Sequence, residues 1–224
     1  MILLLASEFD DIARQAASTW PGGDAIFMTP SDLCEPGWRV GDCADTSYVA
    51  EKLTISPTKV TGIITLLTQI QEQELVDIVP EDRRYVAREL NAFLLFLLTS
   101  TTCNVLNRPV DGGLCGPCWE PEKWAAICHS MGMPHAPVRR GSGCAPEQAG
   151  GDQDSPVVEV LGGRVLGNPS PVDAQAIALA KAAQTSYGRF MFQRFDDIWR
   201  FNAADCRPDL ADPRTCQALA THLS

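Results

Sequence analysis

Lys and Arg are scarce in this chain of 224 residues: 18 stand against 28 Asp and Glu, for a net charge of −10. A broad electrostatic grip on a phosphate backbone is excluded by that balance, and no nucleic-acid partner is expected. Aromatic residues make up only 7%, so no stacking platform for bases is expected either. Long apolar runs are missing: the greasiest stretch, residues 92–98, falls far short of the roughly 20 residues a membrane-spanning helix needs. The apolar start, residues 1–6, has no basic flank and runs into Ser7-Glu8-Phe9-Asp10-Asp11, unlike an export signal. No membrane association is expected, and a cytoplasmic location follows. Histidine is also rare. His129, His135 and His222 form no HxH, HExxH or HxxxH pattern, and no GxSxG elbow or GxxxxGK[ST] loop occurs.

What is present is a globular composition, 45% hydrophobic and 21% charged, which excludes disorder from low hydrophobicity and high charge. Residues 1–5 read as a buried strand and residues 7–20 as a helix with Ser7 as its N-cap, closed by Pro21-Gly22-Gly23. Residues 25–28 read as a second strand, which makes a right-handed βαβ unit on a parallel sheet. Thr29-Pro30-Ser31-Asp32 resembles another helix start. Residues 48–55 form a strand or hairpin, and residues 63–70 fit helix or strand. A helix begins at Pro80-Glu81-Asp82, its acids suiting the dipole, and runs to about Thr101. Its second half is apolar almost all round and is expected to be deeply buried, with Phe93, Leu94 and Leu97 in the core. A short strand over 103–106, a glycine-rich loop over 111–117, a helix from Glu120 or Pro121 to Gly132 and a strand over 134–138 follow.

Residues 139–156 are rich in Gly, Ser, Pro, Gln and Asp without apolar period, and read as an exposed linker. Beyond it come a hairpin on Gly162-Gly163, a helix capped by Asp173 and ending at Gly188, a second hairpin on Asp196-Asp197, and a last helix opened by Asp212-Pro213. The fold class expected is α/β: an open sheet with flanking helices over 1–138, the linker 139–156, and a smaller α+β part over 157–224.

Leu114-Cys115-Gly116-Pro117-Cys118 has the spacing of a thioredoxin-type dithiol, which works when the first thiol sits at a helix N-terminus. Here Trp119 follows the second cysteine rather than preceding the first, so a turn shaped by Gly116-Pro117 is the plainer use. One such knuckle does not make a zinc site; the nine cysteines are expected as free thiols or metal ligands rather than structural bridges, with Cys115 and Cys118 reduced. Asn107 and Arg108 fall at the carboxyl end of a sheet strand, where open α/β sheets hold ligands. Arg139-Arg140 leaves another strand and suits an anion. These four are the candidate ligand-binding residues.

The residues Val79-Pro80-Glu81-Asp82-Arg83-Arg84-Tyr85-Val86, Glu89, Ala92-Phe93-Leu94, Val105-Leu106-Asn107-Arg108-Pro109, Leu114 with Gly116-Pro117, and Trp119-Glu120-Pro121-Glu122-Lys123-Trp124 with 132–137 resemble the N-terminal part of ATP-grasp proteins among peptide-modifying and peptide-ligating enzymes. Residues 157–166 and 176–210 resemble the C-terminal end of the ATP-grasp fold. The resemblance implies a pre-ATP-grasp domain followed by a closing α+β part. It also implies a lobe with phosphate-reaching lysines, yet residues 141–156 contain no lysine, so that lobe is expected to be deleted. It implies magnesium ligands, a Glu-x-Asn, on the final hairpin; Asn202 and Asp205 are the approximate replacements. The function this implies is that of a shortened, catalytically silent relative that binds a protein or peptide partner, as in peptide modification, with no catalytic residue, no metal and no cofactor. The alternatives are a carboxylate–amine ligase of reduced form and a thiol or metal protein built on Cys115 and Cys118.

Overall fold

The apolar start of the chain becomes the inner strand β1 (Ile2–Leu5), buried along its whole length. Burial on both faces is what a central parallel strand requires, and it explains the unbroken apolar run. The computed structural model describes residues 1–40, 47–110, 113–138 and 155–224. Helix α1 (Asp11–Ser18) follows, and Asp10, not Ser7, is its N-cap: the Asp10 carboxylate accepts from Ala13 N at 2.9 Å. Ser7 instead forms a turn ahead of the helix, its hydroxyl accepting from Phe9 N at 3.2 Å. Strand β2 (Ala25–Met28) pairs parallel with β1. Residues 31–34, expected to start a helix, make only a 3-10 turn, because the Asp32 carboxylate turns back to accept from Thr29 N and Oγ1. Strands β3 (Tyr48–Ala50) and β4 (Leu53–Ile55) form a hairpin whose turn residues Glu51 and Lys52 both have positive φ, the twist that two-residue hairpins favour.

Strand β5 (Gly62–Thr65) lies on the other side of β1, and after helix α2 (Pro80–Ser100) the two-residue strand β6 (Asn104–Val105) joins β5. The sheet order is β2-β1-β5-β6, all parallel. Leu94 and Leu97 of α2 pack with Leu3, Leu5 and Ile63 in the core, and Phe93 meets Trp38 edge-on at 5.3 Å. The apolar second half of α2 is not buried all round, however: Leu95 is 43% and Phe96 57% exposed. A single helix presents only one side to its sheet, so an all-apolar run leaves a surplus facing outward. No helix of the described residues is long and apolar enough to cross a membrane.

The second sheet is antiparallel. Strands β7 (Val157–Leu161), β8 (Arg164–Leu166), β9 (Tyr187–Phe195) and β10 (Ile198–Asp205) lie in the order β10-β9-β7-β8. Helices α3 (Pro121–Ser130) and α4 (Asp173–Ala182) supply Trp124, Cys128, Ala176 and Leu179 to a core with Phe190, Phe192 and Phe201. Helix α4 ends well before Gly188, since Gln184 turns to positive φ and the Thr185 hydroxyl bonds Tyr187 O at 2.6 Å. Gly188 is a strand residue: a Cβ there would stand 2.8 Å from the Phe190 ring. The strand expected over 134–138 reduces to one bridge, His135 to Phe201.

Two compact units result, Met1–Pro117 with Arg207–Ser224, and Cys118–Cys206. Helix α5 (Pro213–His222), opened by Asp212 as its cap, belongs to the first: a Cβ on Gly62 would meet Leu223 Cβ at 2.9 Å. Residues 139–154, most of the linker expected at 139–156, lie outside the described residues.

Candidate functional site

Asn107 leaves β6 at its carboxyl end. It is buried, with φ +53, a left-handed conformation that Asn tolerates better than most side chains. Gly116 packs on it; with φ +100, a Cβ at Gly116 would stand 2.8 Å from Asn107 Cβ. The Gly116-Pro117 turn is thus a close approach of backbone to a buried side chain. Arg108 is committed to structure as well. Its guanidinium donates to Leu98 O at 2.7 Å, Thr101 O at 3.0 Å and Cys103 O at 2.9 Å. These carbonyls sit in the last turn of α2 and just beyond it, where helix acceptors lack internal partners and a cation suits the dipole. The expected ligand-binding pair is therefore adjacent, but much of its hydrogen bonding turns inward. Arg139 and Arg140 lie outside the described residues.

The strand order reverses between β1 and β5, and the carboxyl ends of these two strands form the topological switch point of the sheet. The connection after β1 and the connection after β5 are tied there: Ser7 Oγ donates to Glu74 Oε2 at 2.9 Å. Below it, Asn91 of α2 holds the same post-β5 segment, accepting from Ile70 N and donating to Ile70 O, both at 2.9 Å. None of these side chains stands out in the sequence, since no motif marks a serine after a strand or an asparagine inside a helix.

The second unit's sheet has a core face and an opposite face, and the pairing registers define the latter row by row. Glu159 of β7, Arg189 of β9 and Asp205 of β10 stand side by side. The next row is Val157, Met191 and Ala203, and beyond a bulge at Asn202 come Gln193 with Arg200 and Phe195 with Ile198. Arg189 Nε lies 3.4 Å from Glu159 Oε1. Near the turn the Arg200 guanidinium rests 5.2 Å from the Phe195 ring. The period of two along residues 189–195 is legible in the sequence, but the neighbours on β7 and β10 follow only from the registers. The donor chemistry does not fit a magnesium ion. Such an ion needs several hard oxygens in near-octahedral order; here a cation stands between the two carboxylates, and the adjoining row is apolar.

The cysteines of the CxxC segment do not share one environment. Cys115 is buried in the first unit and Cys118 is exposed as the first residue of the second. Helix α3 begins only at Pro121, with Glu120 as its N-cap, so neither thiol occupies the helix N-terminal position a reactive dithiol uses. Burial pushes the Cys206 thiol up to about 12, with Asp205 and Cys118 adding smaller effects in the same direction and a Thr185 hydrogen bond opposing them. Among the described residues, no group of three or more His, Cys, Asp or Glu is placed to hold a metal ion.

No protein-family model and no curated protein matches the chain. Solved structures do. It is similar to the ATP-grasp ligase PsnB complexed with precursor peptide PsnA2 and AMPPNP, at TM-score 0.68 and 13% identity over 100% of this chain and 97% of that one. It is similar to the macrocyclase MdnC from Microcystis aeruginosa MRC bound with precursor peptide MdnA, at TM-score 0.70 and 10% identity over 100% and 99%. A RiPP-associated ATP-grasp ligase of Chryseobacterium gregarium, in complex with ADP and a leader and core peptide, matches at TM-score 0.62 and 9% identity over 99% and 92%. The chain has an ATP-grasp-like fold, and these structural neighbours are peptide-modifying ligases. The matches run nearly end to end in both chains and do not establish the deleted lobe expected at 141–156.

Proposed function

We propose that this chain is a peptide-binding protein of the ATP-grasp-like fold that serves a peptide-modification reaction without turning over ATP itself. The observation that carries the reading is the row Glu159–Arg189–Asp205 on the face of the second sheet opposite its core. In ATP-grasp enzymes the final hairpin supplies magnesium ligands, and phosphoryl transfer depends on the ion to neutralise developing charge. Here the hairpin pairs Asp205 with Arg189 and Ala203 with Met191. A guanidinium fixed among the carboxylates repels a divalent cation, and the apolar pair offers it no oxygen. No catalytic step is assigned to the chain on this reading, and the solved neighbours with bound precursor peptides favour a peptide as the partner.

Isothermal titration with Mg-ATP tests the catalytic half of the reading. The expected result is no saturable heat at submillimolar nucleotide, and no phosphate release above a buffer blank. A dissociation constant at or below about 10 μM, worth roughly −7 kcal/mol, shows a nucleotide site and overturns it.

A further inference from the structure

Four large apolar side chains stand exposed on the two connections at the switch point of the parallel sheet: Phe9 at 68%, Ile12 at 55%, Val76 at 46% and Val79 at 57%. Phe9 and Val76 each lie two residues from the Ser7–Glu74 hydrogen bond, so that bond holds the two connections against each other. Phe9 N further bonds Ser7 Oγ, and Arg83 fixes the second connection by donating to Val76 O at 3.0 Å and Ile78 O at 2.8 Å. The apolar side chains are thus presented on backbone that is already held in place, which lowers the ordering cost of a partner's binding.

The charge around them is one-sided. Segments 7–14 and 72–84 carry eight Asp or Glu and three Arg, half of the chain's net charge of −10. Among the described residues no ion pair holds Glu8, Asp11, Glu72 or Asp77. Two of the arginines are engaged locally: Arg83 on carbonyls, and Arg14 on Glu8 O and over the Phe27 ring at 4.4 Å. Exposed apolar side chains set among carboxylates of the same two connections are complementary to a segment with apolar residues on one side and Lys or Arg on the other.

We propose that the switch-point end of the parallel sheet docks a cationic, amphipathic peptide segment, its apolar residues on Phe9 and Val76 and its basic residues against Glu8, Asp11, Glu72 and Asp77. The proposal rests on the peptide-binding reading above and adds where the peptide sits and which chemistry selects it.

Fluorescence anisotropy with a labelled probe of about 14 residues, Leu and Lys at helical spacing, tests it on the full chain. The comparison probes are the same peptide with Glu for Lys and a scrambled peptide of equal composition. The Leu/Lys probe is expected to bind at least about tenfold tighter than either, with affinity falling as salt rises. Phe9→Ala with Val76→Ala, and separately Glu8→Gln with Glu72→Gln and Asp77→Asn, are expected to weaken it at least about tenfold each. Asp196→Asn with Asp197→Asn, in the second unit, should leave it unchanged. All these positions are exposed or half-buried, and unaltered thermal melts would show that the variants still fold. Equal binding of the scrambled or the acidic probe overturns the selectivity. Binding that ignores the Phe9, Val76 and carboxylate variants overturns the location while leaving peptide binding standing. If none of the three probes binds, this proposal fails, while the peptide-binding reading, which rests on the second sheet and the solved neighbours, stands.

Discussion

Arg108 is where a ligand-binding role and a structural role lead to different measurements. Its guanidinium makes three bonds of 3.0 Å or less to carbonyls at the end of α2. Charge-assisted bonds of this kind contribute about 1.5–3 kcal/mol each when buried, but Arg108 is exposed and water takes the vacated places after removal. Discounting to the bottom of the range for neutral bonds, about 0.5 kcal/mol each, and adding about 0.3–1 kcal/mol for the lost charge at a helix C-terminus, Arg108→Ala should destabilise the fold by about 2 kcal/mol. Arg108→Lys retains the charge but loses the fork that reaches three carbonyls at once, so it should recover only about 0.3–1 kcal/mol. Urea unfolding followed by circular dichroism reads this as a shifted midpoint at unchanged slope, and thermal melting as a shift of about 2–4 °C per kcal/mol for a chain of this size. If Arg108→Ala is as stable as the parent within about 0.3 kcal/mol, the carbonyls are served equally well by water and the capping role is refuted.

Leu94 is wholly buried in the core of the first unit, so Leu94→Ala should cost about 2–5 kcal/mol in the same urea experiment; a cost below about 0.5 kcal/mol would contradict its placement. Gly116→Ala combines a left-handed φ with a 2.8 Å approach to Asn107 Cβ and should destabilise by about 1–3 kcal/mol, whereas equal stability would show that the loop moves aside freely. A thiol-specific reagent at pH 8 should label exposed Cys118 well before buried Cys115, Cys128 and Cys206, and the reverse order in peptide mass mapping would refute the assigned exposures. The fold holds the Cys206 thiol neutral up to about 12, against about 8.5 when unfolded. That contribution is fully present below the unfolded value and is lost as pH rises from about 9 towards 12. Stability should therefore fall more steeply between pH 8 and 10 in the parent than in Cys206→Ala, and parallel slopes would refute the shift.

The fold was legible wherever a local signal had no competitor. The run at residues 2–5, the Pro80 start of α2, the Gly162-Gly163 and Asp196-Asp197 turns and the Asp212-Pro213 helix start all stand where the sequence places them. The errors came from side chains with two uses. Ser7 and Asp10 are both N-cap residues, and only the positions of Ala13 N and Glu74 decide which of them caps. Gly188 looked like a helix stop because glycine commonly is one; its real constraint is a Phe190 ring 2.8 Å from where a Cβ would be, a contact within a strand that composition does not reveal. The membership of α5 was hidden for a different reason: it packs with the first unit, and a return of the chain carries no local mark.

The sites were less legible than the fold because their chemistry depends on neighbours distant in sequence. Arg108 reads in sequence as a polar residue at a strand end, and only the fold places the carbonyls ten, seven and five residues before it around its guanidinium. Arg189 reads as one strand residue among others until two registers set it between Glu159 and Asp205, 30 residues upstream and 16 downstream. The same holds at the switch point. The acids of residues 8–11 and those of residues 72–77 are separate runs in the chain, each of which suits a helix N-terminus or a solvated surface on its own. Only the crossover that puts β5 beside β1, together with the Ser7–Glu74 bond, makes them one surface. A sequence can therefore announce the charge and the apolar residues of such a surface, but whether they act together is settled by sheet order.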